Sequence, residues 1–175
     1  MKGLNELELQ NLRWVQPSSW RREYELRSGS GELVGRMVRR GLLREIAEVE
    51  AVGNRWVFER KGFWNRRIEI HSAGTGDSPA EFDYHFVGGK LIFPDGRELT
   101  WRSSNFWSTQ WAWTTEDGTP IVGFKTGGAF KLNSEISLDP ELADQKALPL
   151  LIFLGWYLYL LFHDDSAAVV VVAGT

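Results

Sequence analysis

The sequence predicts a mainly β protein: an antiparallel closed barrel of about twelve strands enclosing a hydrophobic C-terminal α-helix at about residues 140–163. Three observations carry this expectation. From residue 20 to residue 138 the chain reads as roughly eleven short segments separated by turn signals, at the 8–12-residue spacing of barrels and sandwiches. Leu148 to Phe162 (LPLLIFLGWYLYLLF) then runs fifteen residues without a charge, and a helix apolar all round must be covered on all sides. Nine Trp and ten Phe supply large rigid fillers for such a core. Closing the sheet removes exposed edges. A barrel this wide cannot be filled by its own side chains alone, so an axial helix completes it.

Residues 1–19 are expected to be a lead-in and 20–175 a single domain. Tyr24-Glu25-Leu26-Arg27 alternates apolar with polar and stops at Ser28-Gly29-Ser30-Gly31. Leu33 to Val38 follows. Ile46 to Val52 alternates again and ends at Gly53-Asn54, a turn signal. Trp56 to Arg60 leads to Lys61-Gly62, and Arg67 to His71 has one apolar and one polar face. Residues 73–79 are a loop. Glu81 to Val87 is a strand, with Gly88-Gly89 as its turn. Lys90 to Phe93 and Arg97 to Arg102 make a hairpin around Pro94-Asp95-Gly96. Gln110 to Thr115 and Pro120 to Lys125 make another around Glu116-Asp117-Gly118-Thr119, and Ala129 to Leu138 ends the series.

The helix has a readable start. Asp139 can cap free N–H groups, and Pro140 suits the first helical position. Glu141 and Asp144 place negative charge near the positive end of the dipole. Pro149 kinks or restarts the helix. The charge-free run is about 22 Å long as a helix, short of the roughly 30 Å hydrocarbon core of a bilayer. His163, Asp164 and Asp165 follow it, and no Lys/Arg cluster adjoins it. An enclosed helix is therefore expected, with membrane insertion as the alternative. The tail Ala167 to Ala173 (AAVVVVA) either pairs as a final strand or extends the helix.

The formal charge is −3, spread unevenly. Residues 1–72 hold fourteen Lys/Arg against ten Asp/Glu, and the remainder six against thirteen. Arg36, Arg39, Arg40, Arg44, Arg55, Arg66 and Arg67 gather in one stretch, where a basic face could attract an anionic ligand. Interspersed Glu residues would neutralise much of that field. Zero Cys excludes disulfides, thiolate metal sites and Cys nucleophiles and fits a reducing compartment. The N-terminus has no apolar signal-peptide region, so a cytoplasmic location is expected, peripheral to a membrane if lipid is bound.

Catalytic motifs are missing. The three His sit at 71, 85 and 163, with no HExxH, Walker A loop or G-x-S-x-G elbow. The Gly-rich stretches lie between strands, where Gly serves turns. His71 and His85, with Asp83, would make a weak metal site only if they faced each other across neighbouring strands. Trp101, Phe106, Trp107, Trp111 and Trp113 fall within thirteen residues. Core packing is the default for such a cluster, but residues 103–108 read as a loop, so Phe106 and Trp107 are the candidates for an exposed aromatic contact.

The body with Gly31-Glu32-Leu33-Val34-Gly35, then Leu91, Asp95-Gly96-Arg97, Leu99 and Trp101, then Trp111-Ala112-Trp113 before Asp117-Gly118, and the terminal apolar helix resembles the tubby C-terminal-like superfamily, particularly its LURP-one-related branch. Phospholipid scramblases share that superfamily. The resemblance covers roughly residues 20–163. It implies a twelve-stranded barrel around a central helix and an affinity for phospholipid headgroups. The cationic headgroup-binding residues of tubby have no residue-by-residue match here. The palmitoylated Cys of scramblases has no counterpart, and Asp164-Asp165 is too small a set for a Ca²⁺ site.

The resulting expectation is a non-enzymatic, monomeric barrel without cofactor that binds an anionic phospholipid or membrane surface through the arginines. A protein-interaction scaffold using Phe106 and Trp107 is one alternative and a membrane-inserted protein is another. Nucleic acid is not an expected partner at a pI of 5.7.

Overall fold

The computed structural model describes residues 11–41, 45–51, 53–62, 67–85, 88–128, 131–139, 144 and 146–173, with side chains to residue 168. Twelve strands run β1 (Arg13–Val15), β2 (Glu23–Arg27), β3 (Leu33–Arg40), β4 (Ile46–Ala51), β5 (Asn54–Lys61) and β6 (Arg67–Ser72), then β7 (Glu81–His85), β8 (Gly88–Ile92), β9 (Glu98–Ser103), β10 (Gln110–Thr114), β11 (Pro120–Gly127) and β12 (Asn133–Leu138). Each pairs antiparallel with its sequence neighbours, and β1 closes the ring onto β12 through Trp14↔Ser134. One helix, α1 (Leu148–Ala173), follows.

The inward faces follow period 2. On β4 Ala47, Val49 and Ala51 are buried while Glu48 and Glu50 are exposed. The helix fills the barrel: every residue from Leu148 to Leu161 is buried. Wall and helix interlock through rings. Trp156 stacks on Trp14 with centroids 5.5 Å apart, Phe153 meets the same indole edge-on at 5.0 Å, and Tyr157 packs on Phe58. The Trp113 indole N–H donates to the Leu151 carbonyl at 2.8 Å. Two glycines make the fit possible. A Cβ on Gly155 would lie 2.6 Å from the Phe124 ring, and one on Gly35 would lie 2.5 Å from Phe153. Among the described residues, no helix is long and apolar enough to cross a membrane.

Several sequence expectations shift. β1 lies inside the stretch 1–19 read as a lead-in; three residues are too few to show an alternation, and only its pairing to β2 and β12 reveals it. Gly88-Gly89 is strand rather than turn. A Cβ on Gly89 would meet the Asp83 carbonyl at 2.1 Å and the Phe82 ring at 2.5 Å, so these glycines allow close backbone approach. The helix begins at Leu148, and capping falls to Asp144. Its side chain accepts from the Lys146 N–H at 3.0 Å and its carbonyl from the Leu148 N–H at 2.9 Å. Asp139 instead extends the sheet, its N–H donating to Ile121. Pro140 and Glu141 lie outside the described residues. Pro149 occupies the first turn, where its missing N–H costs no helical bond. The tail through Ala173 extends the helix.

Because neighbouring strands are antiparallel and consecutive, connections alternate between two mouths. α1 starts at the mouth holding the β8–β9 turn, where Arg97 reaches Asp144 at 3.3 Å. It leaves at the opposite mouth, ringed by the β1–β2, β3–β4, β5–β6, β7–β8, β9–β10 and β11–β12 connections.

Candidate functional site

The arginine stretch does not form one basic face. Arg36 and Arg40 share one parity and point outward from β3, but Arg39 has the opposite parity and points inward, its side chain 1% exposed. It ion-pairs with Glu45 and donates to Asp164 of the helix at 2.7 Å. Arg39 is therefore a structural cation and not a ligand contact. The outward members each have a carboxylate beside them: Arg36 with Glu23 at 3.1 Å, Arg40 with Glu48 at 3.2 Å, Arg55 with Glu50 at 3.8 Å and Arg67 with Glu69 at 3.1 Å. Arg44 and Arg66 lie outside the described residues.

A cluster that the sequence did not announce sits where the helix leaves the barrel. Arg22 joins Arg39 on Asp164, with Nη2 to Oδ2 at 3.1 Å. Arg60, inward-facing like Phe58, grips Asp165 with two parallel bonds of 3.1 and 3.0 Å and lies over the Tyr84 ring. Burial alone would raise the Asp164 carboxyl. His163 and the charges of Arg39 and Arg22 outweigh it and hold the group down at about 2. Burial likewise pushes the neighbouring Tyr157 hydroxyl up, keeping it neutral. The available signals were the inward parity of Arg39 and Arg60 and the Asp pair directly after the apolar run.

The aromatic stretch divides cleanly. Trp101, Trp111 and Trp113 are core, whereas Phe106 and Trp107 are 91% and 78% exposed. Their turn is built to present them. Asn105 Oδ1 accepts from the N–H groups of Thr109 and Gln110 at 3.0 and 3.1 Å, and its amide donates to Thr109 Oγ1 at 2.8 Å. Ser108 takes a positive φ of 53°, and its carbonyl accepts from the Trp111 indole at 2.8 Å. The two exposed rings meet edge-on at 5.2 Å. Trp20, which the sequence reading passed over, is 95% exposed in the β1–β2 connection. All three rings lie at the mouth from which the helix emerges.

The mouths also differ in charge. Among the described residues, connections at the exit mouth carry Arg21, Arg22 and Lys131 against Glu45, and those at the start mouth carry seven carboxylates and two cations. His71 and His85 do not face each other. β6 and β7 pair through Arg67↔Asp83 and Glu69↔Glu81, which leaves His71 beyond one end of the ladder and His85 beyond the other. Among the described residues, no group of three His, Cys, Asp or Glu is placed to hold a metal ion.

No protein-family model, curated protein or solved structure matches the chain.

Proposed function

We propose that this protein is a non-catalytic module that docks on an anionic phospholipid surface with the exit mouth of its barrel. One observation carries the reading: three exposed aromatic rings, Trp20, Phe106 and Trp107, sit at a single mouth. Trp suits the headgroup layer because its ring is apolar with one polar N–H, and Phe adds apolar area beside it. The cationic surplus of the same connections favours anionic lipid, at about 1 kcal/mol per Lys or Arg near the surface. The arginine wall loses its role because its described outward members already face carboxylates. The barrel with its central helix is the architecture that likeness to the tubby-like superfamily implies, and we offer membership there as part of the same proposal. A monomer in the cytoplasm, peripheral to a membrane, is the setting that follows.

The test is flotation of the full chain with vesicles of phosphatidylcholine alone or mixed with phosphatidylserine. Binding to the anionic vesicles should exceed binding to neutral ones at low salt. The Phe106→Ala/Trp107→Ala double variant should lose most of it while keeping its melting temperature. Equal binding by the double variant, or none by the parent, would sink the reading.

A further inference from the structure

We propose that the part of α1 beyond the barrel is a monotopic anchor that enters one leaflet of the bilayer. This rests on the docking reading above and adds what that reading lacks, a segment that reaches the hydrocarbon. The helix is buried through Leu161, and exposure begins with His163. The backbone nevertheless stays helical to Ala173. The arginine cluster divides the two parts. Arg22 and Arg39 on Asp164, and Arg60 on Asp165, hold the helix at a fixed depth in the mouth. They also neutralise the two carboxylates that would otherwise resist approach to anionic lipid.

Beyond Asp165 the sequence Ser166-Ala167-Ala168 and Val169 to Ala173 carries no charge. Those eight residues extend about 12 Å as a helix. One leaflet's share of the hydrocarbon core is roughly 15 Å. The stretch is therefore long enough to sink into a leaflet from the headgroup level. Its composition fits lipid better than water. Four consecutive Val are only middling helix formers in water. Hydrocarbon, by contrast, favours the helix over any open conformation, because all but the last-turn carbonyls are bonded internally. Trp20, Phe106 and Trp107 surround the same exit and would lie at the interface while the helix passes below it. The other occupant of such a projecting helix would be a second copy of the chain, and the experiment separates the two.

The chain has no Cys, so single-site labelling is clean. Val170→Cys would report on the anchor, Ser19→Cys on the docking surface beside Trp20, and Thr75→Cys on the opposite mouth. Each is labelled with an environment-sensitive nitrobenzoxadiazole dye and mixed with vesicles of phosphatidylcholine and phosphatidylserine. The expected result is a several-fold rise and blue shift at 170, quenched by a lipid brominated along its acyl chain. Position 19 should respond weakly, with quenching from the headgroup region, and position 75 not at all. A response at 19 with an aqueous signal at 170 would overturn the anchor and leave the docking reading intact. Silence at both positions, with no flotation of the unlabelled chain, would overturn both. A rise at 170 that follows protein concentration without vesicles would mean self-association and also overturn the anchor. As a second measurement, Val170→Asp should reduce the salt-resistant part of vesicle binding several-fold; unchanged salt resistance would count against insertion.

Discussion

Arg39 shows how one residue's parity decides its work. A cation one position from Arg40 on the same strand differs from it completely because the β pleat turns alternate side chains to opposite faces. Removing the head group by Arg39→Met takes the buried cation from between Glu45 and Asp164 and leaves both carboxylates to share Arg22. We expect a loss of about 3 kcal/mol, as for other broken buried pairs. Arg40→Met, at an exposed pair with Glu48, should cost at most about 0.5 kcal/mol. Urea unfolding of both variants is the check, and equal losses would contradict the inward placement. Asp164 makes the contribution pH-dependent. Its carboxyl titrates at about 2 in the folded protein, below the roughly 3.9 of an unfolded Asp. The unfolded chain therefore binds the proton first as pH falls. The stabilisation is complete above pH 4 and is lost on acidification toward pH 2. The side chain is 47% exposed, and after allowance for solvent screening we expect about 1 kcal/mol. An Asp164→Asn variant should lack that part of the acid-induced loss; identical acid profiles would exclude Asp164 as its source.

At the scale of elements, the fit between α1 and the wall is set by where bulk is missing. Ala is a better helix former than Gly by about 1 kcal/mol, so Gly155→Ala would help an exposed helix. Here the new methyl would collide with Phe124 and the Trp113 indole. Overpacking of this kind costs about 2 kcal/mol, and the net effect should be a lower melting temperature in a thermal scan. An unchanged or raised value would mean the helix can shift within the barrel. The β9–β10 turn is the opposite case, since its bonds from Asn105, Ser108 and Trp111 hold two large rings away from the core. A rigid turn that exposes aromatic area spends none of it on folding, which is why the vesicle-binding experiment begins with Phe106 and Trp107.

For the whole molecule, the class of fold was legible because its signals are periodic and abundant. Turn signals together with local alternation marked eleven of the twelve strands, and a fifteen-residue apolar run demanded an enclosure. Phe106 and Trp107 were legible too, since large rings among Ser and Asn in a turn have no strand face to hide on. The missed features are those that depend on what lies across the barrel. β1 is defined by partners more than a hundred residues away at β12. Asp144 rather than Asp139 caps the helix because the sheet claims Asp139 first. The arginine cluster required knowing that Asp164 and Asp165 sit at a mouth lined by Arg22, Arg39 and Arg60. The polarity of the molecule, acidic at one mouth and aromatic with excess cations at the other, emerges only when alternate connections are sorted by topology. What must be buried and where the chain must turn can be read from residue order, because hydrophobic period and turn chemistry act over a few residues. Which charges are structural, and which surface faces outward as a unit, follows from closure of the barrel, which joins residues that local chemistry cannot relate.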